Sequence, residues 1–225
     1  SFNLTKVILF GMLYLRFVFF LISSASIAQI GGGSSFSFLN LESSPRINSL
    51  GGYAPIVIDD DPNLALFNPS LINASMNSFV SLNYVNYYAD INYGSIAFMP
   101  KISSKFQILS GIKYVDYGFF EETDEFGNII GQFNASEYLF SLGSSKVLFN
   151  EGNNLLNIGL STKLALSQLY TDFSLAFLID FSLLYVNSHK RINTSLLVRN
   201  FGYQLIKYNN GNLENLPFEL LFSIS

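Results

Sequence analysis

With 49% hydrophobic and only 12% charged residues, the 225-residue chain is too apolar and too poor in charge for an ordinary soluble domain, in which about 25% of residues are charged. It has no cysteine and a single histidine, His189, which excludes disulfides, thiol catalysis, zinc sites built on cysteine and multi-histidine metal centres, and nothing in the pattern implies a cofactor. The acidic balance is −4 overall and −6 once Lys6 and Arg16 of the first 28 residues are set aside, so nucleic acid is a poor partner.

Residues 1–28 read as a secretory signal peptide. Lys6 supplies the positive start, Val7 to Ile22 the apolar region, and Ser26-Ile27-Ala28 a small-x-small cleavage site before Gln29. The competing reading is an N-terminal membrane anchor, which Arg16 interrupts. After this stretch no apolar run of about 18 residues exists, so a helical membrane protein is not expected. A closed barrel is then the main way for so apolar a chain to live in lipid, because every backbone polar group must be paired internally.

From 29 to 77 the pattern is irregular, with Gly31-Gly32-Gly33, Leu50-Gly51-Gly52, Asp59-Asp60-Asp61-Pro62 and Asn68-Pro69 as punctuation. Asp61 and Pro62 suit the N-cap and first turn of a short helix over 63–67, which Asn68-Pro69 ends. Asp59, Asp61 and Asn63 fall at the first, third and fifth places of a calcium loop, but Leu64 stands where the glycine is required and Ser70 where the glutamate is, so capping explains them better. This segment is expected to be a plug or hatch placed before the first strand, with Gly51, Gly52, Asp59, Asp60, Asp61, Pro62, Asn68 and Pro69 as its structural motif.

Eight candidate strands follow over 78–225: 79–88, 91–99, 106–117, 137–145, 155–168, 173–186, 192–201 and 218–224. The fifth and sixth are the clearest. Leu156, Ile158, Leu160, Thr162, Leu164 and Leu166 share one face against Asn157, Gly159, Ser161, Lys163, Ala165 and Ser167. Phe173, Leu175, Phe177, Ile179, Phe181, Leu183 and Tyr185 then repeat the apolar row against Ser174, Ala176, Asp180 and Ser182. The four residues Leu169 to Asp172 join them as a hairpin. Small and charged residues are poor surface β-formers but suit a barrel interior, so the expected fold is all-β, a transmembrane antiparallel β-barrel with its apolar face to lipid.

Lys113, Glu137, Lys163, Asp180, Arg199 and Glu219 lie on six successive strands, face inward and alternate in sign, so neighbouring strands are expected to pair them in the lumen. Connections 118–132 and 202–216 read as long external loops, the first carrying Glu121, Glu122, Asp124 and Glu125 as a candidate partner contact. His189 sits in the turn Ser188 to Arg191, where a solvated role is expected over a catalytic one.

Ser44-Pro45-Arg46, Leu50-Gly51-Gly52, Asp59 through Ala65, Phe67 through Leu71, Leu82-Asn83-Tyr84 and Ala89 through Gly94 together resemble the PorV/PorQ branch of the FadL-like outer-membrane proteins. The likeness is to the PorQ-like members in particular, and the chain has Ser70 where the family usually has alanine. Its specific motifs are confined to about 44–94. The resemblance implies a barrel of about fourteen strands with an N-terminal plug, of which this chain supplies about eight and is C-terminally truncated. It also implies a component of the type IX secretion system in the outer membrane of a Gram-negative bacterium, in contact with lipid and lipopolysaccharide. There it anchors or scaffolds the surface attachment complex, a sortase and its anchored partner, and is not itself an enzyme. A FadL-type transporter of hydrophobic small molecules is the alternative; the inward Lys, Glu, Asp, Ser and Gly fit poorly with the greasy pocket it needs.

Overall fold

The computed structural model describes residues 36–101, 107–208, 211 and 213–225. The expected signal peptide over 1–28, the Gly31–Gly33 run and Phe106 lie outside the described residues.

Among the described residues, eight strands form one antiparallel sheet in which each strand pairs with the next in sequence. They are β1 (Val80–Asn86), β2 (Asn92–Phe98), β3 (Gln107–Thr123), β4 (Ile129–Glu151), β5 (Asn154–Leu169), β6 (Asp172–Asn187), β7 (Ile192–Ile206) and β8 (Glu219–Ile224). β1 and β8 are the two edges and do not pair with each other, so the sheet is open. Among the described residues, no helix is long and apolar enough to cross a membrane. β5 and β6, at 16 residues each, exceed the roughly 9–11 residues with which a tilted strand crosses a bilayer.

The alternation legible in β5 and β6 is realised with inverted burial. Ser161, Lys163, Ala165 and Ser167 are buried, whereas Leu160 and Leu164 beside them are 50% and 42% exposed. On β6, Ser174, Ala176, Asp180 and Ser182 are buried and Phe173 and Phe181 are exposed. Exposed apolar side chains continue across the same face on β1 to β4 (Leu82, Tyr84, Ile96, Ile112, Phe140, Leu142) and on β7 and β8 (Leu196, Leu220, Phe222). A water-soluble sheet buries that row; here it is the polar row that is covered.

The cover is the segment 36–79. Ser44 accepts a hydrogen bond from the Ile47 amide and Pro45 opens helix α1 (Pro45–Ser49). Gly51 and Gly52, both at positive φ, end it, with the Gly52 amide returning to the Ile47 carbonyl at 2.9 Å. Asp61 caps α2 (Pro62–Phe67) through the Asn63 amide, with Pro62 at the first position. Asn68 and Asn73 cap the following 3-10 turns at Pro69–Leu71 and Ala74–Met76 in the same way. A side-chain cap every few residues lets so short a segment satisfy its own amides without long helices.

Three apolar clusters fasten this segment to the covered face. Phe36, Phe38 and Leu39 meet Tyr93, Val115, Leu139, Ala165, Ala176 and Leu178. Ile47, Leu64, Phe67 and Leu71 meet Leu184 and Leu197. Ala65, Ile72 and Met76 meet Ala97, Met99 and Leu109. Phe38, Ile47, Leu64, Leu71, Ile72 and Met76 are essentially fully buried, each stabilising the docked segment by about 1.5–3 kcal/mol relative to exposure.

Two expected connections are corrected. The segment 118–132 is a continuation of the β3–β4 hairpin: β3 runs to Thr123, β4 begins at Ile129, and only 124–128 turn. The expectation failed because Glu121 and Glu122 read as loop, while Phe119, Phe120, Ile129 and Phe133 form cross-strand pairs strong enough to hold strands. Likewise β7 extends to Ile206, which shortens the second connection to 207–218.

Candidate functional site

The buried interface between 36–79 and the sheet gathers most of the inward polar groups. The small residues of the polar rows serve the backbone of the segment. The Ser70 amide donates to the Ser182 hydroxyl at 2.8 Å, Asn157 Nδ2 donates to the Ser70 carbonyl at 2.6 Å, and the Ser145 hydroxyl donates to the Ile72 carbonyl at 2.6 Å. Asn68 Nδ2 donates to the Pro55 carbonyl at 2.5 Å and to the Ser195 hydroxyl at 3.1 Å, and Asn63 bridges Ser81 and Asn83. Buried backbone polar groups must find partners, and an irregular segment inside a sheet finds them on side chains. Gly159 shows how close the approach is: a Cβ there would stand 2.1 Å from the Ser70 amide nitrogen.

The charged groups follow the expectation for two pairs and depart from it for the third. Lys163 and Asp180 form a buried ion pair, and Asp180 Oδ1 also accepts from the Asn200 amide at 2.8 Å. Arg199 pairs with Glu219 at 3.0 Å and its guanidinium lies 4.1 Å from the centre of the Phe67 ring, while the Tyr53 hydroxyl donates to Glu219 at 3.2 Å. Lys113 and Glu137 do not pair. Lys113 donates to the Leu41 carbonyl, and Glu137 accepts from the Tyr117 hydroxyl at 2.5 Å.

Register explains the difference. Lys163 stands opposite Leu178 and Asp180 opposite Ser161, so their pair runs along one diagonal of the ladder. Lys113 stands opposite Leu139 and Glu137 opposite Val115, which is the other diagonal. Twist makes the two diagonals unequal, and the segment 36–79 offers Lys113 a carbonyl instead. Asn200 went unnoticed in the sequence. It has φ 55° at a bulge opposite Asp180 that turns both Arg199 and Asn200 inward, and no period-two pattern reveals it.

The remaining motif residues hold the segment together. Arg46 forms an ion pair with Asp59, and Asp61 Oδ2 lies 3.9 Å from the same guanidinium. The Asp60 amide and Arg46 hold the Asp59 carboxyl down at about 2. Among Lys113, Lys163, Arg199 and Glu42 lies a cavity of about 40 Å³, also lined by Leu39 and Ser141. That is room for a few waters, far below the roughly 300–1,000 Å³ of a small-molecule pocket.

Glu121, Glu122, Asp124 and Glu125 stand together at the far end of the β3–β4 hairpin, away from the interior. Asp124 shapes the turn: its side chain accepts from the Phe126 and Asn128 amides at 2.9 and 2.8 Å and from Asn128 Nδ2 at 2.9 Å. These bonds, the Asn128 side chain first, favour the charged form and hold the Asp124 carboxyl below the ordinary aspartate pKa. Phe120 stacks on Phe133 with centroids 5.3 Å apart, and Phe133 meets Tyr170 edge-on at 5.4 Å.

No family model matches the chain, and no curated protein matches it.

Proposed function

We propose that the chain is lipid-facing wall and plug of an outer-membrane β-barrel, a non-enzymatic member of the PorV/PorQ-like proteins that anchors or scaffolds the surface attachment complex of type IX secretion. One observation carries the membrane part of this reading. Lys163 and Asp180 are 4% and 0% exposed while Leu160, Leu164 and Phe181 around them are 50%, 42% and 37% exposed, an order that supports lipid as the outer solvent. The occupied interior supports anchoring over carriage: among the described residues it holds ion pairs, hydroxyls and a cavity of about 40 Å³ lined in part by Lys113, Lys163 and Arg199. The segment 36–79 is the plug in this reading, and the acidic hairpin end, 118–132, is the surface offered to partners.

The test is recovery of partners from detergent-solubilised membranes with the tagged chain as bait. The expected result is fractionation with the outer membrane and co-recovery of large surface proteins, with recovery weakened and insertion preserved when 118–132 is deleted. A bound fatty acid without any protein partner would replace this reading with a FadL-type transporter.

A further inference from the structure

The β3–β4 hairpin outgrows its neighbours. β2 ends its pairing with β3 at Asp116, and β5 ends its pairing with β4 at Ala135. Beyond those points Phe119 pairs with Asn134, Phe120 with Phe133, Glu121 with Gln132, Glu122 with Gly131 and Thr123 with Ile129, and among the described residues no third strand joins them. The result is a two-stranded ribbon about 16 Å long before the turn. A bulge at Gly118, with φ 74° and the Asp90 side chain against it, marks where the neighbouring hairpin stops. The outer side of β3 from 119 to 123 therefore carries backbone amide and carbonyl groups with no strand beside them among the described residues.

This edge is built for one kind of neighbour. Successive residues point to opposite faces, so Glu121 and Glu122 place one carboxylate on each face of it. Glu122 lies across Gly131, where a Cβ would stand 3.0 Å from its Oε2. From 117 to 134 the chain holds Glu121, Glu122, Asp124 and Glu125 and no Lys, Arg or His. Two copies brought edge to edge would set these carboxylates against each other. Phosphate-bearing lipid carries the same sign. Phe119, at 78% exposed, and Phe126, at 82%, add apolar contact.

Resting on the reading that this hairpin lies outside the membrane, we propose that the β3 edge at 119–123 takes an extended, Lys- or Arg-rich segment of a surface protein by strand addition. Backbone hydrogen bonds hold the added strand, and its cations meet Glu121 on one face and Glu122 on the other.

The test uses the full chain in detergent micelles and two labelled peptides, one alternating lysine with valine and one with glutamate in place of lysine, followed by fluorescence anisotropy. The lysine peptide is expected to bind and the glutamate peptide not. Binding should weaken on the order of tenfold in Glu121→Gln/Glu122→Gln and fall with added salt. Carbonyl-labelled lysine peptide should show the amide I shift of a paired strand. Equal binding of both peptides, or unchanged binding in the double variant, overturns the proposal. So does an F119W emission that shifts to the blue in lipopolysaccharide vesicles regardless of peptide, or a dimer in micelles that the lysine peptide does not dissociate. A surface protein recovered equally by wild type and double variant overturns the strand-addition site and leaves the anchoring reading in place. Selective peptide binding with no surface protein recovered from membranes keeps the site and removes that reading.

Discussion

The body of the sheet and its projecting ribbon are made of the same alternating backbone, yet they are stabilised in different ways. In the body, the polar rows of β4 to β7 are covered by 36–79, and Ser182, Ser195, Ser145 and Asn157 each complete a hydrogen bond to the segment. In the ribbon neither face is covered, and cohesion comes from its cross-strand pairs, the Phe120–Phe133–Tyr170 cluster and the Asp124 turn. Burial makes the body intolerant of single changes, whereas exposure leaves the ribbon free to vary and to bind.

The sharpest way to break this contrast is to remove one member of a buried ion pair. Lys163→Met leaves Asp180 without its cation, and the expected loss is about 3–5 kcal/mol, read as a lower urea midpoint for unfolding in micelles. Adding Asp180→Leu should restore part of that loss, held back by the Asn200 amide, which would then have no acceptor. Glu122→Gln on the ribbon should shift the same midpoint by less than about 0.5 kcal/mol. Equal effects at the two places would dissolve the distinction.

A second comparison asks which solvent each exposed residue meets. Leu164→Arg on the bare face of β5 is expected to cost about 2–4 kcal/mol in lipid, while Ile130→Arg at the ribbon costs close to nothing. Refolding of both variants into vesicles with tryptic protection as readout decides it. A harmless Leu164→Arg would mean that the apolar row faces something other than hydrocarbon.

How far the sequence discloses this arrangement follows the same division. β5 and β6 are legible because their apolar and polar rows run unbroken, and the helix after Asp61 is legible because cap, proline and stop stand in order. The ribbon is not, since a strand without a buried face loses the alternation that marks strands, and Glu121 and Glu122 imitate a loop. The interior charges are legible as a set but not as partners. Which diagonal a pair occupies depends on register, and the bulge at Asn200 and the Leu41 carbonyl beside Lys113 belong to the tertiary structure.

The smallest expected effect lies within the covering segment, where an exposed ion pair can be set against the buried one. Arg46 and Asp59 are both partly open to solvent, with side chains 44% and 34% exposed, so their attraction is screened and adds little to global stability. What they do is local: the Asp60 amide and the Arg46 guanidinium favour the charged form of Asp59 and lower its titration to about 2 from an ordinary 3.8. A carboxyl held below its unfolded value stabilises the folded form above that value and loses the contribution as pH falls through the folded one. The clasp is therefore expected to be intact above about pH 4 and to open between about 4 and 2, with amides of 44–61 exchanging faster while those of β5 and β6 stay protected. Carboxyl NMR should place the Asp59 midpoint near 2 in the native chain and higher in Arg46→Ala, still below 3.8 because the Asp60 amide remains. The same midpoint in the native chain and in Arg46→Ala would mean that Arg46 only passes by, and that the Asp60 amide with the caps at Ser44 and Asp61 shapes this end of the segment.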